Sequence, residues 1–193
     1  MPQPDVALVL LAAGRSSRFG GEKLSAKLNG RSVIHRTMQV AERAGFTRNI
    51  LVCRPDQAGD FASDGWDIVT NADYRDGLST SIRQGVMAAQ GSVRIVLVLG
   101  DMPFVTADHL AILAGNEGVI FTRHPDGRPG CPAAFPADGF ARLETLEGDR
   151  GAASLDFPGA RLVDPADPAM LADIDTPADL ASAAEETKSA ANR

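Results

Sequence analysis

Val6-Ala7-Leu8-Val9-Leu10-Leu11 runs directly into Ala12-Ala13-Gly14-Arg15-Ser16-Ser17-Arg18-Phe19-Gly20-Gly21-Glu22-Lys23. An unbroken apolar run, without the alternation of a half-exposed strand, reads as a strand buried on both faces. That is the habit of parallel sheets covered by helices. The stretch after Leu11 is small, polar and cationic. In open parallel sheets ligands sit at the carboxyl ends of the strands, so this junction is the first place to look for chemistry.

Outward from it, the pattern alternates. Residues 33–44 carry a helical stripe, 49–53 are a short apolar run, Ile68-Val69 is expected as a strand, and 79–89 form a second helix with Ser79 or Ser81 near its cap. Arg94-Ile95-Val96-Leu97-Val98-Leu99 is another doubly buried strand, broken by Gly100-Asp101-Met102-Pro103. Thr106 is suited to N-cap a helix reaching about Leu113, and 118–122 is a further strand. The Pro/Gly-rich segment 129–136 allows an antiparallel excursion, and helices are expected over 139–146 and 176–186. Strands alternating with helices at this spacing give an α/β fold with a mostly parallel central sheet. At 193 residues, one domain is expected, with 187–193 as a polar, disordered tail.

Composition narrows the partners. The net charge is −6 and aromatics make up 5% of the chain, so neither an electrostatic hold on a nucleic-acid backbone nor a base-stacking platform is expected. Against that acidic background the cations Arg15, Arg18, Lys23 and Lys27 are concentrated in one segment. They suit a small phosphorylated ligand. Cys53 and Cys131 have no zinc-ligand spacing and predict no disulfide framework. The run from Val6 to Ala13 is too short to cross a bilayer and lacks the basic flank of a secretory signal, so a cytoplasmic protein without a membrane partner is expected.

Two strand ends carry the candidate chemistry. The glycine-containing stretch after Leu11 fits neither a Walker A loop nor a dinucleotide fingerprint, yet its small residues let backbone N–H groups approach an anion. Asp101, at the end of the second buried strand and braced by Pro103, suits a magnesium ligand, because that ion takes one or two carboxylates along with phosphate oxygens. Asp173-Ile174-Asp175-Thr176-Pro177 admits two readings: Asp175 or Thr176 as a helix cap, or Asp175 or Asp173 as the second metal carboxylate. Gly77-Leu78-Ser79-Thr80-Ser81 likewise offers hydroxyls either to a ligand or to a helix start. Gly148-Asp149-Arg150-Gly151 and Gly130-Cys131-Pro132 read as turns or site loops. His35, His109 and His124 have no metal or nucleophile spacing, and nothing marks Cys131 as an activated thiolate.

Taken in order, these segments resemble the molybdenum cofactor cytidylyltransferases, a group of small nucleotidyltransferases. Leu11–Lys23 is similar to their LAAGxSxRxGxxK signature, Gly77–Gly85 to GxSxSxxxG, Leu99–Val105 to LxDMPxV, Leu146–Ala152 to a segment containing GDxGA, and Asp173–Leu180 to DIDTPxDL. The resemblance spans Leu11 to Leu180. It implies a single-domain Rossmann-like three-layer sandwich over residues 1–186, CTP as donor, Mg²⁺ as cofactor, and molybdopterin carrying molybdenum as acceptor. The products would be its cytosine dinucleotide and pyrophosphate, with the dinucleotide delivered in turn to a molybdenum hydroxylase.

By that resemblance Arg18, Lys23 and Asp101 are catalytic. The nucleotide contacts fall to Leu11, Ala12, Ala13, Gly14, Arg15, Lys23, Gly77, Ser79, Ser81 and Asp101, and the metal to Asp101 and Asp175. GTP-using relatives carry LAGG where this chain has Leu11-Ala12-Ala13-Gly14, so Ala13 favours cytidine. Three positions depart from the pattern: Lys27 and Ser32 stand where prolines are usual, and Cys131 where a histidine often sits. They leave open another phosphorylated acceptor, or GTP as donor. A non-catalytic nucleotide- or cofactor-binding chaperone for a molybdoenzyme is the reading from a different class.

Overall fold

The strand β1 (Val6–Leu11) is buried at every position, as its unbroken apolar run requires. The computed structural model describes residues 5–16 and 18–191. β1 lies between β4 (Arg48–Cys53) and β6 (Arg94–Leu99), parallel to both. β5 (Trp66–Thr70) extends the sheet beyond β4. On the other side β8 (Pro129–Pro136) pairs antiparallel with β6 and with β7 (Ile120–Arg123), and β9 (Arg161–Val163) closes the edge parallel to β7. The order is β5-β4-β1-β6-β8-β7-β9, so the antiparallel excursion expected at 129–136 is a full central strand.

Alternate residues of β1 feed two cores. Leu8 and Leu10 pack with Val33, Ile34 and Met38 of α1 (Val33–Ala44) and with Leu110 of α3 (Ala107–Gly115). Ala7, Val9 and Leu11 face Ile82 and Val86 of α2 (Leu78–Ala88) and Leu143 of α4 (Phe140–Leu143). This is a three-layer sandwich. The last glycine of the Gly77–Gly85 motif belongs to this packing: a Cβ at Gly85 would collide with the Val9 side chain, so α2 lies close on β1 only because none is there.

Several expectations need correction. α2 starts one residue before Ser79, with Gly77 as its N-cap and no side-chain cap, so neither Ser79 nor Ser81 caps it. The helix expected over 139–146 is four residues long, preceded by a 3-10 turn at Ala137–Gly139. The two-residue strands β2 (Lys27–Leu28) and β3 (Arg31–Ser32), and β9, are too short to leave a periodic signal. The final helix α5 is Pro177–Ala191; it continues through most of the expected tail, while residues 192 and 193 lie outside the described residues. Thr106 caps α3 as expected, its hydroxyl accepting from the His109 N–H. Among the described residues no helix is long and apolar enough to cross a membrane.

From β1 the chain passes through α1 to β4 on one side, whereas β6 lies on the other. The sheet order therefore reverses between β1 and β6, leaving a crevice at their carboxyl ends. The Gly100 N–H donates to the Leu11 carbonyl at 2.9 Å, holding these two ends together.

Candidate active site

Lys23 sits on a 3-10 turn (Lys23–Ser25) at the end of the loop that leaves β1. Its ammonium donates to Asp101 Oδ2 at 2.7 Å and to Asp175 Oδ1 at 2.9 Å. The Lys23 and Asp101 side chains are only 11% and 18% exposed, so this pair is shielded and structurally defined. Burial pushes the Lys23 ammonium down, but the charges of Asp101 and Asp175 and their hydrogen bonds outweigh it, and the net shift is upward. Arg18 reaches Asp175 Oδ2 at 2.8 Å, but with 77% of its side chain exposed that contact is loosely held and its guanidinium is free to turn to a ligand.

The hydrogen bonds of the Asp173–Pro177 segment show which residues cap the helix. The Thr176 hydroxyl accepts from the Asp179 N–H at 3.2 Å, and Asp179 Oδ2 accepts from the N–H groups of Thr176 and Asp175 at 2.7 and 3.0 Å. This is a capping box with aspartate in the third position. Thr176 and Asp179 satisfy the helix start, and the Asp175 carboxylate is left for the site. The Ile174 N–H donates to the Asp101 carbonyl at 3.0 Å and docks the segment against the end of β6.

Asp101, Asp173 and Asp175 each present a carboxylate oxygen within 4.8 Å of the others. The Lys23 hydrogen bond is the main influence holding Asp175 below the ordinary carboxylate range. Burial, then the negative charges of Asp101 and Asp175, pushes Asp173 above it. The second Asp101 oxygen, Oδ1, is buried without a hydrogen-bond partner. A buried, unpaired carboxylate oxygen is costly. Beside two further carboxylates it suits a hard divalent cation with oxygen ligands, and the site fits that group.

The loop after β1 separates two cavities. One, of about 230 Å³, is lined by Leu11, Ala12, Gly14, Arg15, Arg18, Lys23, Asp101 and Asp175. The other, of about 430 Å³, is lined by Leu11, Ala13, Gly14, Arg15, Gly77, Ser81 and Asp101, together with Tyr74 and Asp149. The residues that the resemblance assigns to catalysis, nucleotide or metal all border one or both cavities, except Ser79. Ser79 is fully buried; its N–H donates to the Gly148 carbonyl at 3.0 Å and its hydroxyl is buried without a hydrogen-bond partner. The cause is simple: in the first turn of a helix, successive side chains point about 100° apart, so Ser81 and Ser79 cannot share a direction. Ser81 accepts from Asn71 Nδ2 at 3.0 Å.

Tyr74 borders the larger cavity from a segment that gave no distinctive pattern, whereas Asp149 belongs to the GDxGA-like segment and Asp173 is the alternative metal carboxylate of the Asp173–Pro177 segment. Gly77 has a positive φ of 110°, and a Cβ there would overlap the Gly148 carbonyl group, so two glycine-containing loops touch directly at the cavity rim.

Cys131 borders a small cavity of about 110 Å³ with Met102, His124 and Asp173. Burial, reinforced by the Asp101 charge, pushes its thiol up to about 12, and burial similarly raises Cys53 to about 11, so neither is an activated nucleophile. His124 Nε2 pairs with the Cys131 carbonyl, His35 Nδ1 with Ser32, and His109 Nε2 with Thr122, all in local structural contacts.

The MobA-like NTP transferase domain model matches residues 8–162. The purine catabolism protein PucB of Bacillus subtilis (strain 168) is 29% identical over 195 residues, covering 92% of this chain and 95% of that protein. A probable molybdenum cofactor guanylyltransferase of Thermococcus sibiricus is 34% identical over 99 residues, 50% of this chain and 48% of its own. Among solved structures, Rv0371c from Mycobacterium tuberculosis H37Rv superposes with a TM-score of 0.78 at 30% identity, covering 95% of this chain and 99% of that one. Its complex with manganese superposes at 0.76, also at 30% identity, over 94% of this chain and 98% of that one.

Proposed function

The chain belongs to the MobA-like NTP transferase domain family, and on that premise we propose that it transfers CMP from CTP to a terminal phosphate of molybdenum-bearing molybdopterin, giving the cytosine dinucleotide and pyrophosphate. The observation that carries this reading is the convergence of Lys23, Asp101 and Asp175 at the strand-order reversal, with one Asp101 oxygen left unpartnered.

An oxygen of the acceptor phosphate attacks the α-phosphorus of the triphosphate. The bond from that phosphorus to the α–β bridging oxygen breaks, and pyrophosphate departs with the electron pair. A phosphate nucleophile is already anionic near neutral pH, so no histidine base is required, in keeping with the structural pairing of His35, His109 and His124. Lys23 and Arg18 neutralise charge that builds on the phosphates, while Arg15 and the backbone from Ala12 to Gly14 align the triphosphate. Asp101, Asp175 and Asp173 would hold Mg²⁺, which supplies further charge neutralisation at phosphate oxygens. Ala13 lines the larger cavity, where its methyl group narrows the space for a base and supports cytidine over a purine.

A second reading keeps the transfer and changes the acceptor. It is favoured by Cys131, which puts a thiol beside Met102 and Asp173 where the resembling family often carries histidine. Both readings are tested by incubating the protein with Mg²⁺, CTP or GTP, and either molybdopterin or a panel of phosphorylated metabolites, and measuring pyrophosphate. Release with CTP and molybdopterin supports the first reading. Release only with another acceptor establishes the second, and nucleotide binding without release with any acceptor points to a carrier.

A further inference from the structure

We propose that Arg54 is a positioning residue that locks both walls of the nucleotide cleft, and that Glu22 is the hook by which it does so. The proposal rests on the nucleotidyltransferase reading for its readout. Arg54 follows the last residue of β4 and is 7% exposed, an unusual place for a guanidinium. Its Nη2 donates to Glu22 Oε2 at 2.6 Å, and Gln57 Nε2 donates to the same oxygen at 2.8 Å. Its Nε and Nη2 also reach Asp56 at 3.3 Å.

Glu22 immediately precedes Lys23, and its carbonyl accepts from Ser25 and Ala26, at 3.1 and 3.2 Å, in the turn that carries the ammonium. The first wall is thereby fastened to β4. On the other side the Arg54 guanidinium carbon lies 5.8 Å from the centre of the Tyr74 ring, which borders the larger cavity. Arg75 covers the same ring at 5.3 Å, and its carbonyl accepts from the Arg15 guanidinium. One buried cation thus touches the segment holding Lys23 and the aromatic side chain next to the anchor of Arg15.

A purely stabilising arginine has Asp56 two residues away and no need of a distant loop. The Glu22 side chain is 55% exposed, so in solution it would be well hydrated without Arg54. The pair gains little from burying Glu22; what it fixes is the path of the loop between β1 and Lys23. Because Glu22 and Asp56 neutralise Arg54, its charge is committed to them, and its effect on nucleotide passes through Lys23, Arg15 and Tyr74.

The full chain is compared with Arg54→Met, Arg54→Lys, Glu22→Gln and the Arg54→Met/Glu22→Gln double variant. The readouts are kcat/KM for pyrophosphate release, CTP affinity by calorimetry in the presence of Mg²⁺, and thermal midpoint. Arg54→Met is expected to lose about a hundredfold in kcat/KM, the scale of a small misplacement of catalytic groups. Arg54→Lys recovers part of that loss. Glu22→Gln weakens kcat/KM about tenfold with an unchanged midpoint, and the double variant is no worse than Arg54→Met alone.

Midpoint losses with kcat/KM and CTP affinity within about twofold of wild type would overturn the proposal, as would additive losses in the double variant. If Arg54→Met does not fold, Glu22→Gln decides the matter through the same two readouts. Absence of pyrophosphate release by the wild type overturns the enzyme reading instead, and the ratio of CTP affinities then tests the clamp by itself.

Discussion

Lys23 and Asp101, 78 residues apart, meet at 2.7 Å across the carboxyl ends of β1 and β6. The ammonium also holds Asp175, so one cation balances two of three clustered carboxylates, and the Asp101 oxygen not bound to Lys23 is buried without a partner. The polypeptide has placed an uncompensated acceptor at the strand-order reversal. Such groups are tolerated where they serve a ligand.

Asp101→Ala is expected to lower turnover by at least about a thousandfold, since it removes the one carboxylate that both pairs with Lys23 and offers an unpartnered oxygen. Folding survives, because the lost group repels its carboxylate neighbours and Asp175 still pairs with Lys23. Far-ultraviolet dichroism and the thermal midpoint check the fold. Substantial Mg²⁺-dependent turnover by the variant would exclude Asp101 from its assigned role.

Ala13→Gly removes a methyl group from the wall of the larger cavity. The ratio of kcat/KM for CTP to that for GTP is expected to fall about tenfold, the scale on which a methyl or methylene group discriminates in a fitted pocket. Competitive initial rates with the two triphosphates measure it, and an unchanged ratio removes Ala13 from donor selection.

Gly77→Ala forces a Cβ into the Gly148 carbonyl at a residue whose φ is 110°. A loss of about 2 kcal/mol or more in urea unfolding is expected from the backbone strain and the clash combined. The KM for CTP should rise as well, since both loops border the cavity.

His109 is buried on α3, its Nε2 facing Thr122, whose hydroxyl donates to the Pro132 carbonyl. Burial holds the folded imidazole below its ordinary value of 6.5. Above that pH both folded and unfolded chains carry it neutral. As pH falls below it, the unfolded chain takes up the proton first, so stability declines until the folded group also titrates. Urea midpoints measured from about pH 7.5 down to about pH 5 should show this loss, and His109→Gln should flatten it. The Asp175 contribution has the same sign but is lost only at more acid pH, because its carboxyl is held below 3.8.

The scaffold was legible wherever one physical signal dominated. Val6–Leu11 and Arg94–Leu99 declared buried strands by apolar continuity, and their polar endings located Lys23 and Asp101. The short strands at Lys27–Leu28 and Arg161–Val163 are fixed by neighbouring strands, and no local periodicity reveals them. Ser79 illustrates a second limit: a motif identifies the segment that borders the cavity, whereas helix phase decides that Ser81 lines it and Ser79 is buried. Arg54 and Glu22 illustrate the third. Their pairing depends on the path of the β4 exit relative to the β1 loop, a tertiary relationship absent from either stretch. In the Asp173–Pro177 segment, sequence alone sets capping and metal binding in competition for the same residues; Thr176 and Asp179 take the cap, which leaves Asp175 to the site.

The most direct measurement tracks both halves of the donor. CTP labelled at the α-phosphate is incubated with the protein, Mg²⁺ and molybdopterin, with and without a chelator. The label should move into an acceptor-linked dinucleotide with one pyrophosphate released per label transferred, and chelation should stop both. Inorganic phosphate in place of pyrophosphate, or tight CTP binding with the label left in CTP across the full range of phosphorylated acceptors, would contradict nucleotidyl transfer.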